Sequence, residues 1–175
     1  MLTHATTHSL NRWQQVKNAM GILTNKKHFL HEHLTFIESI GIDGKDSGFN
    51  KFLTKLGISN KGESWEIDHS TIDWNKTENH YQFFFDYEDN ESEIMNWLIK
   101  SELSKSEFLY TWLDWNDPIV KIKTADFIHN WNEFYIASVE GIILTTTDGK
   151  HYMEFTDDWK YNLNSNFEIK PNTKK

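Results

Sequence analysis

Apolar residues recur at helical spacing three times in the first third of the chain. Leu10, Trp13, Val16 and Met20 make one stripe, ended by Gly21-Ile22. Phe29, Leu30, His33, Leu34, Ile37 and Ile40 make a second, ended by Gly41-Ile42. Phe49, Phe52, Leu53 and Leu56 make a third, ended by Gly57-Ile58. A glycine just beyond a helix takes the left-handed conformation, and the apolar residue after it packs back on the last turn. The pattern predicts three short helices stopped by the same chemistry.

From Glu63 the period changes. Trp65, Ile67 and His69 alternate with Glu66, Asp68 and Ser70, as on a half-buried strand. Tyr81 to Tyr87 is apolar on both faces, which predicts an interior strand. Asn90 is expected to cap a helix reaching Lys100, with Ile94, Met95, Trp97 and Leu98 as its stripe. Phe108 to Trp115 reads as a strand interrupted by Pro118. Thr124 is expected to cap a further helix, with Phe127, Ile128, Trp131, Phe134 and Tyr135 inward. Asp148-Gly149 predicts a hairpin in which Ile142, Leu144 and Thr146 face Phe155, Met153 and His151 on the core side. Ile143, Thr145, Tyr152 and Glu154 take the other face. Phe167 and Ile169 suggest a last short strand, and Asn172 to Lys175 a frayed tail.

These elements do not alternate regularly, which argues against a parallel doubly wound sheet. The expected class is α+β, with N-terminal helices packed on one side of an antiparallel sheet that ends in a C-terminal β-hairpin. One domain is expected over residues 1–175, mainly helical over 1–60 and mixed sheet and helix over 63–170. Trp13, Ile37, Phe52, Phe83, Trp97, Trp131, Leu144 and Phe155 are the expected core.

Composition narrows the function. Cysteine is absent, so disulfides, thiolate nucleophiles and Cys-bound zinc are excluded, which fits a reducing cytoplasm. No secretory signal precedes Arg12, and no apolar window approaches a membrane span. Acids outnumber bases 26 to 18, for a net charge of −8, and Arg12 is the sole arginine. A basic face for nucleic acid is therefore not expected; such a charge could steer a basic partner, though it more commonly serves solubility alone.

Among candidate chemistry, His28 and His31 share a helical face but His33 points away, so the three predict no shared metal site. His33 falls in the apolar stripe, where a partly buried, satisfied histidine is expected. His4 and His8 fall in a terminus expected to be mobile. Nucleophile-elbow, phosphate-loop and dinucleotide motifs are missing, so no enzyme activity and no cofactor are expected. Glu154, Asp157 and Asp158 could converge as an acid/base or cation site, but a solvated strand end is the expectation.

The acids cluster beside aromatics. Asp86, Glu88 and Asp89 belong to the densest charged run, which continues through Glu91 and Glu93. Asp114, Trp115 and Asp117 form a second group, and Asp157, Asp158 and Trp159 a third. Rigid aromatic anchors ringed by acids suit a docking surface for a basic protein, and these nine residues are the candidate partner-binding set; the commoner alternative is a loop whose Trp side chains tuck into the core while its acids face water.

The stretch from Thr124-Ala125-Asp126-Phe127 and Trp131-Asn132-Glu133-Phe134 continues through Gly141-Ile142-Ile143-Leu144 and Asp148-Gly149-Lys150. It then runs through Met153-Glu154-Phe155-Thr156-Asp157-Asp158 to Ser165-Asn166-Phe167. In style it resembles bacterial immunity proteins of polymorphic and contact-dependent toxin systems, being acidic, Trp-rich and biased to lysine and asparagine. The likeness covers about the last 50 residues and carries over no functional residue. It implies a cytoplasmic protein whose partner is one cognate toxin, with no nucleic acid or membrane bound and the oligomeric state open. Two rivals stand beside it: a metal-dependent hydrolase or nuclease built from carboxylates and histidines, and a small-ligand-binding or scaffold module.

Overall fold

Strand pairing organises this chain more than its helices do. The structure is a computed structural model that describes residues 30–43, 48–62, 70–86, 89–113, 118–138, 141–156 and 162–169. In chain order the described elements are α1 (Leu30–His33), β1 (Ile37–Asp43), α2 (Gly48–Lys55), a 3₁₀ turn (Trp74–Lys76), β2 (Tyr81–Phe83) and α3 (Glu91–Lys100). A second 3₁₀ turn (Glu102–Lys105) leads to β3 (Phe108–Trp112), β4 (Pro118–Lys123), α4 (Thr124–His129), α5 (Trp131–Ala137), β5 (Ile142–Thr146), β6 (Tyr152–Phe155) and β7 (Leu163–Ser165). The strands form one antiparallel sheet of seven, in the order β1-β4-β3-β5-β6-β7-β2. The α+β class with an antiparallel sheet is as expected.

The C-terminal hairpin takes the expected register. Ile142 pairs with Phe155 and Leu144 with Met153, and the Thr146 N–H donates to the His151 carbonyl at 2.9 Å. The hairpin sits in the middle of the sheet. The third glycine stop also holds: α2 ends with Gly57 at φ +78°, Gly57 N–H bonds Thr54 C=O, and Ile58 N–H bonds Leu53 C=O. That bond pair caps the helix while Ile58 packs back, buried.

Several expectations are corrected. The second helix stops at His33, and Ile37–Asp43 is a strand rather than a helical continuation. Its isoleucines suit a pleated surface, and pairing with the free edge of β4 overrides the helical spacing. The Tyr81 strand is short and lies at the sheet edge, not in its interior. The last strand is Leu163–Ser165; Phe167 and Ile169 follow it. Asn90 stands at the start of α3, but its side chain does not cap the helix: its Oδ1 accepts from Asp86 N–H. Thr124 likewise does not cap through its side chain; its hydroxyl donates to Ser106 C=O at 2.6 Å. The helix expected there is two short ones, broken at Asn130. The first helical stripe, the Trp65–His69 strand, Tyr87 and the tail lie outside the described residues.

Helices cover both faces of the sheet, not one. On the first face Leu109, Ile122, Ile142, Leu144, Met153 and Phe155 meet Trp97 and Leu98 of α3, Phe127 of α4, and Trp131 and Phe134 of α5. Trp131 stacks on Phe155 at 5.8 Å, and Phe85 meets both edge-on. On the second face Trp112, Ile119 and Ile143 meet Phe49, Phe52 and Leu53 of α2, with Ile72 and Trp74. Phe52, Trp97, Trp131, Leu144 and Phe155 are core as expected. Ile37 and Phe83 are only half-buried, because each lies on an edge strand; Trp13 lies outside the described residues.

Candidate partner-binding groove

Edge strand β2 and helix α3 bound a groove of about 1020 Å³. Trp97 lines it, stacked on Phe167 at 5.8 Å and held by an indole N–H bond to the Glu168 carbonyl at 3.2 Å. Phe83 and Phe84 line it from the strand side. Along it stand four carboxylates, Asp89, Glu93, Glu102 and Glu168, against one ammonium, Lys100. Acids in the first turn of α3 and Lys100 in its last turn also suit the helix dipole, which is a structural reason for part of this pattern. Glu93 accepts from the Asn90 side chain at 3.0 Å. Glu102 bonds Lys105 at 2.5 Å, and that bond holds its carboxyl below the usual range.

Apolar surface is exposed in the groove at Phe84 and outside its lining at Ile99 and Tyr81. Phe84 is 54% exposed, Ile99 46% and Tyr81 37%. Ile99 lies within about 60° of Asn96 around α3, beside the lining face.

Of the nine candidate partner-binding residues, Asp86 and Asp89 are described: Asp86 is exposed just past β2, and Asp89 lines the groove. Glu88, Asp114, Trp115, Asp117, Asp157, Asp158 and Trp159 lie outside the described residues. The strands that precede these segments finish at the same end of the sheet. Trp112 pairs with Ile143, Ile142 with Phe155, Phe155 with Leu163, and Leu163 with Phe83. The chain therefore leaves β3, β6 and β2 at one end of the sheet.

The expected solvated strand end at Glu154 is overturned. Glu154 is 2% exposed on the second face, where the 70–74 segment covers it. It accepts from Thr71 N–H at 2.6 Å, from the Trp74 indole N–H at 3.0 Å, and pairs closely with the Ser70 hydroxyl. Burial pushes its carboxyl above the usual range, and these hydrogen bonds pull the other way. Sequence reasoning also missed two asparagines. Asn162 accepts from Phe85 N–H at 2.9 Å and donates to Phe85 C=O at 2.7 Å, extending the β2–β7 pairing by a side chain. Asn164 receives Gln82 Nε2 at 3.2 Å and lies 2.9 Å from His80 Nε2. Neither shows a signal in the sequence beyond polarity.

His33 is exposed rather than partly buried, and pairs with Glu133 at 2.9 Å. His28 lies outside the described residues. Among the described residues, no group of three or more His, Cys, Asp or Glu side chains is placed to hold a metal ion, and no helix is long and apolar enough to cross a membrane. No family model, curated protein or solved structure matches the chain.

Proposed function

We propose that this chain is a toxin-neutralising immunity protein, acting in the cytoplasm by binding and blocking a basic toxin domain without catalysis of its own. The observation that carries the reading is the groove along α3: Asp89, Glu93 and Glu168, with Glu102 paired to Lys105, against the single lining ammonium of Lys100, beside an aromatic ring 54% exposed. Acids steer a cationic partner into encounter, and the aromatic anchors supply the contacts that slow its departure. Asp86, exposed just past β2, adds a further acid beside that edge. A net charge of −8 with a single arginine suits this role.

The test is co-expression with the polypeptide encoded beside this gene, scored by co-purification and by protection from its toxicity. Charge reversal at Asp89, Asp114, Asp117, Asp157 and Asp158 should slow association severalfold at low salt. At molar salt, where screening acts within about 3 Å, the effect should shrink. A neighbour with no toxic activity, or binding unchanged by the reversals at every salt concentration, overturns the reading.

A further inference from the structure

The hydrogen-bond parity of β7 fixes which backbone groups of β2 face outward. Thr156 N–H bonds Asn162 C=O at 2.9 Å, and Asn166 N–H bonds Tyr152 C=O at 3.2 Å. Bonded pairs alternate along an antiparallel ladder. Asn164 therefore bonds Glu154 in β6, and the backbone of Leu163 and Ser165 turns toward β2. Their partners there are Phe83 and Tyr81. Asn162, one step further on, bonds both backbone groups of Phe85, in the same parity. The N–H and C=O groups of Gln82 and Phe84 are left pointing away from the sheet, on an edge that no described strand covers.

Edge strands are normally protected by charge, proline, bulges or a covering element. The run Tyr81-Gln82-Phe83-Phe84-Phe85 carries no charge and no proline, and Phe84 and Tyr81 are exposed. We propose that this edge takes an added strand from the basic partner: an extended segment bearing lysine or arginine, paired with the backbone of Gln82 and Phe84 and flanked by the carboxylates of the α3 groove. The proposal deepens the partner-binding reading and rests on it. Backbone pairing supplies affinity without demanding a particular sequence, and alternate side chains of the segment reach the flanking acids. A second copy of this chain suits the edge poorly, because edge-to-edge pairing would bring two chains of charge −8 together with their acidic grooves adjacent.

The probe is a capped peptide alternating lysine with valine, with a glutamate–valine peptide as its charge control. Binding is followed by fluorescence, and amide exchange is read residue by residue. The lysine peptide should bind, weaken with salt, and slow exchange at Gln82 and Phe84. Q82P, which removes an outward N–H but neither bonded pair with β7, should bind at least about tenfold more weakly than Q82A, which keeps it. Thermal midpoints are recorded for both variants; should Q82P not fold, exchange at Gln82 and Phe84 in the parent protein decides. Peptide binding that falls with D89K/E93K, but shows neither amide protection nor a difference between Q82P and Q82A, overturns strand addition and leaves the acidic docking surface standing. No binding of the lysine peptide up to millimolar concentration, or equal binding of the glutamate peptide, overturns the proposal. So does protection of the same amides on raising protein concentration alone, with a dimer on size exclusion.

Discussion

Glu154 makes a prediction that runs against the usual behaviour of carboxylates. Its side chain meets the Ser70 hydroxyl, the Thr71 amide and the Trp74 indole, all from the segment that covers the second sheet face. Ser70 Oγ also lies 3.1 Å from the Ile72 carbonyl, and a hydroxyl has one proton to give. If Glu154 is ionised, Ser70 bonds either it or Ile72. If Glu154 is protonated, its own O–H donates to Ser70, and Ser70 donates to Ile72. The neutral acid thus completes the chain of bonds, in accord with the upward shift that burial imposes. A folded-state pKa above the unfolded value means the folded state binds more protons between the two. The stability this group contributes is then fully present below the unfolded value near 4.5 and is lost as pH rises through the folded pKa. The slope is at most about 1.4 kcal/mol per pH unit inside that window. E154A removes the acceptor from Thr71 N–H and the Trp74 indole and the donor to Ser70, and should cost about 3–5 kcal/mol at pH 4. E154Q resembles the neutral acid but cannot donate to Ser70 and accept from Trp74 through one atom. It should cost about 1–2 kcal/mol at pH 4, and the gap to the parent should narrow as pH rises. Urea unfolding of parent and E154Q from pH 4 to 8 measures this, the difference cancelling every other titrating group. A gap that stays constant or widens with pH refutes the protonated network.

Other substitutions test the packing. Gly149 has φ +72°, and a Cβ there would lie 2.6 Å from the Leu56 carbonyl oxygen, so G149A should destabilise by about 1–3 kcal/mol in urea unfolding. F155A should cost about 3–5 kcal/mol by the same assay, since its ring stacks on Trp131 and meets Phe85 edge-on. N162A removes both side-chain bonds to Phe85 and should cost about 1–3 kcal/mol, with faster amide exchange at Phe85 as its local signature.

What the sequence revealed depends on how local each signal is. The β5–β6 hairpin and the end of α2 were legible because turn chemistry and strand period are written within a few residues of each other. Ile37–Asp43 was not, because isoleucines at 37 and 40 fit a helical stripe and a strand equally, and the free edge of β4 that decides between them lies about 80 positions away. Tyr81–Phe85 reads as interior because its residues are apolar on both faces, yet strand order, which the local pattern does not carry, places it at the edge. Glu154 was placed on the correct face by the strand period; that the face is covered depends on residues 70–74, outside the hairpin altogether. The acidic segments show the same division. Their charge is plain in the sequence, but that the strands preceding them all finish at one end of the sheet is a property of topology. In an antiparallel sheet, strands separated by an even number of steps run the same way. The order β3-β5-β6-β7-β2 puts β3, β6 and β2 two steps apart, so all three finish at the same end of the sheet. An order that moved β2 by one place would reverse its direction and send Asp86, just past it, to the opposite end of the sheet from the ends of β3 and β6.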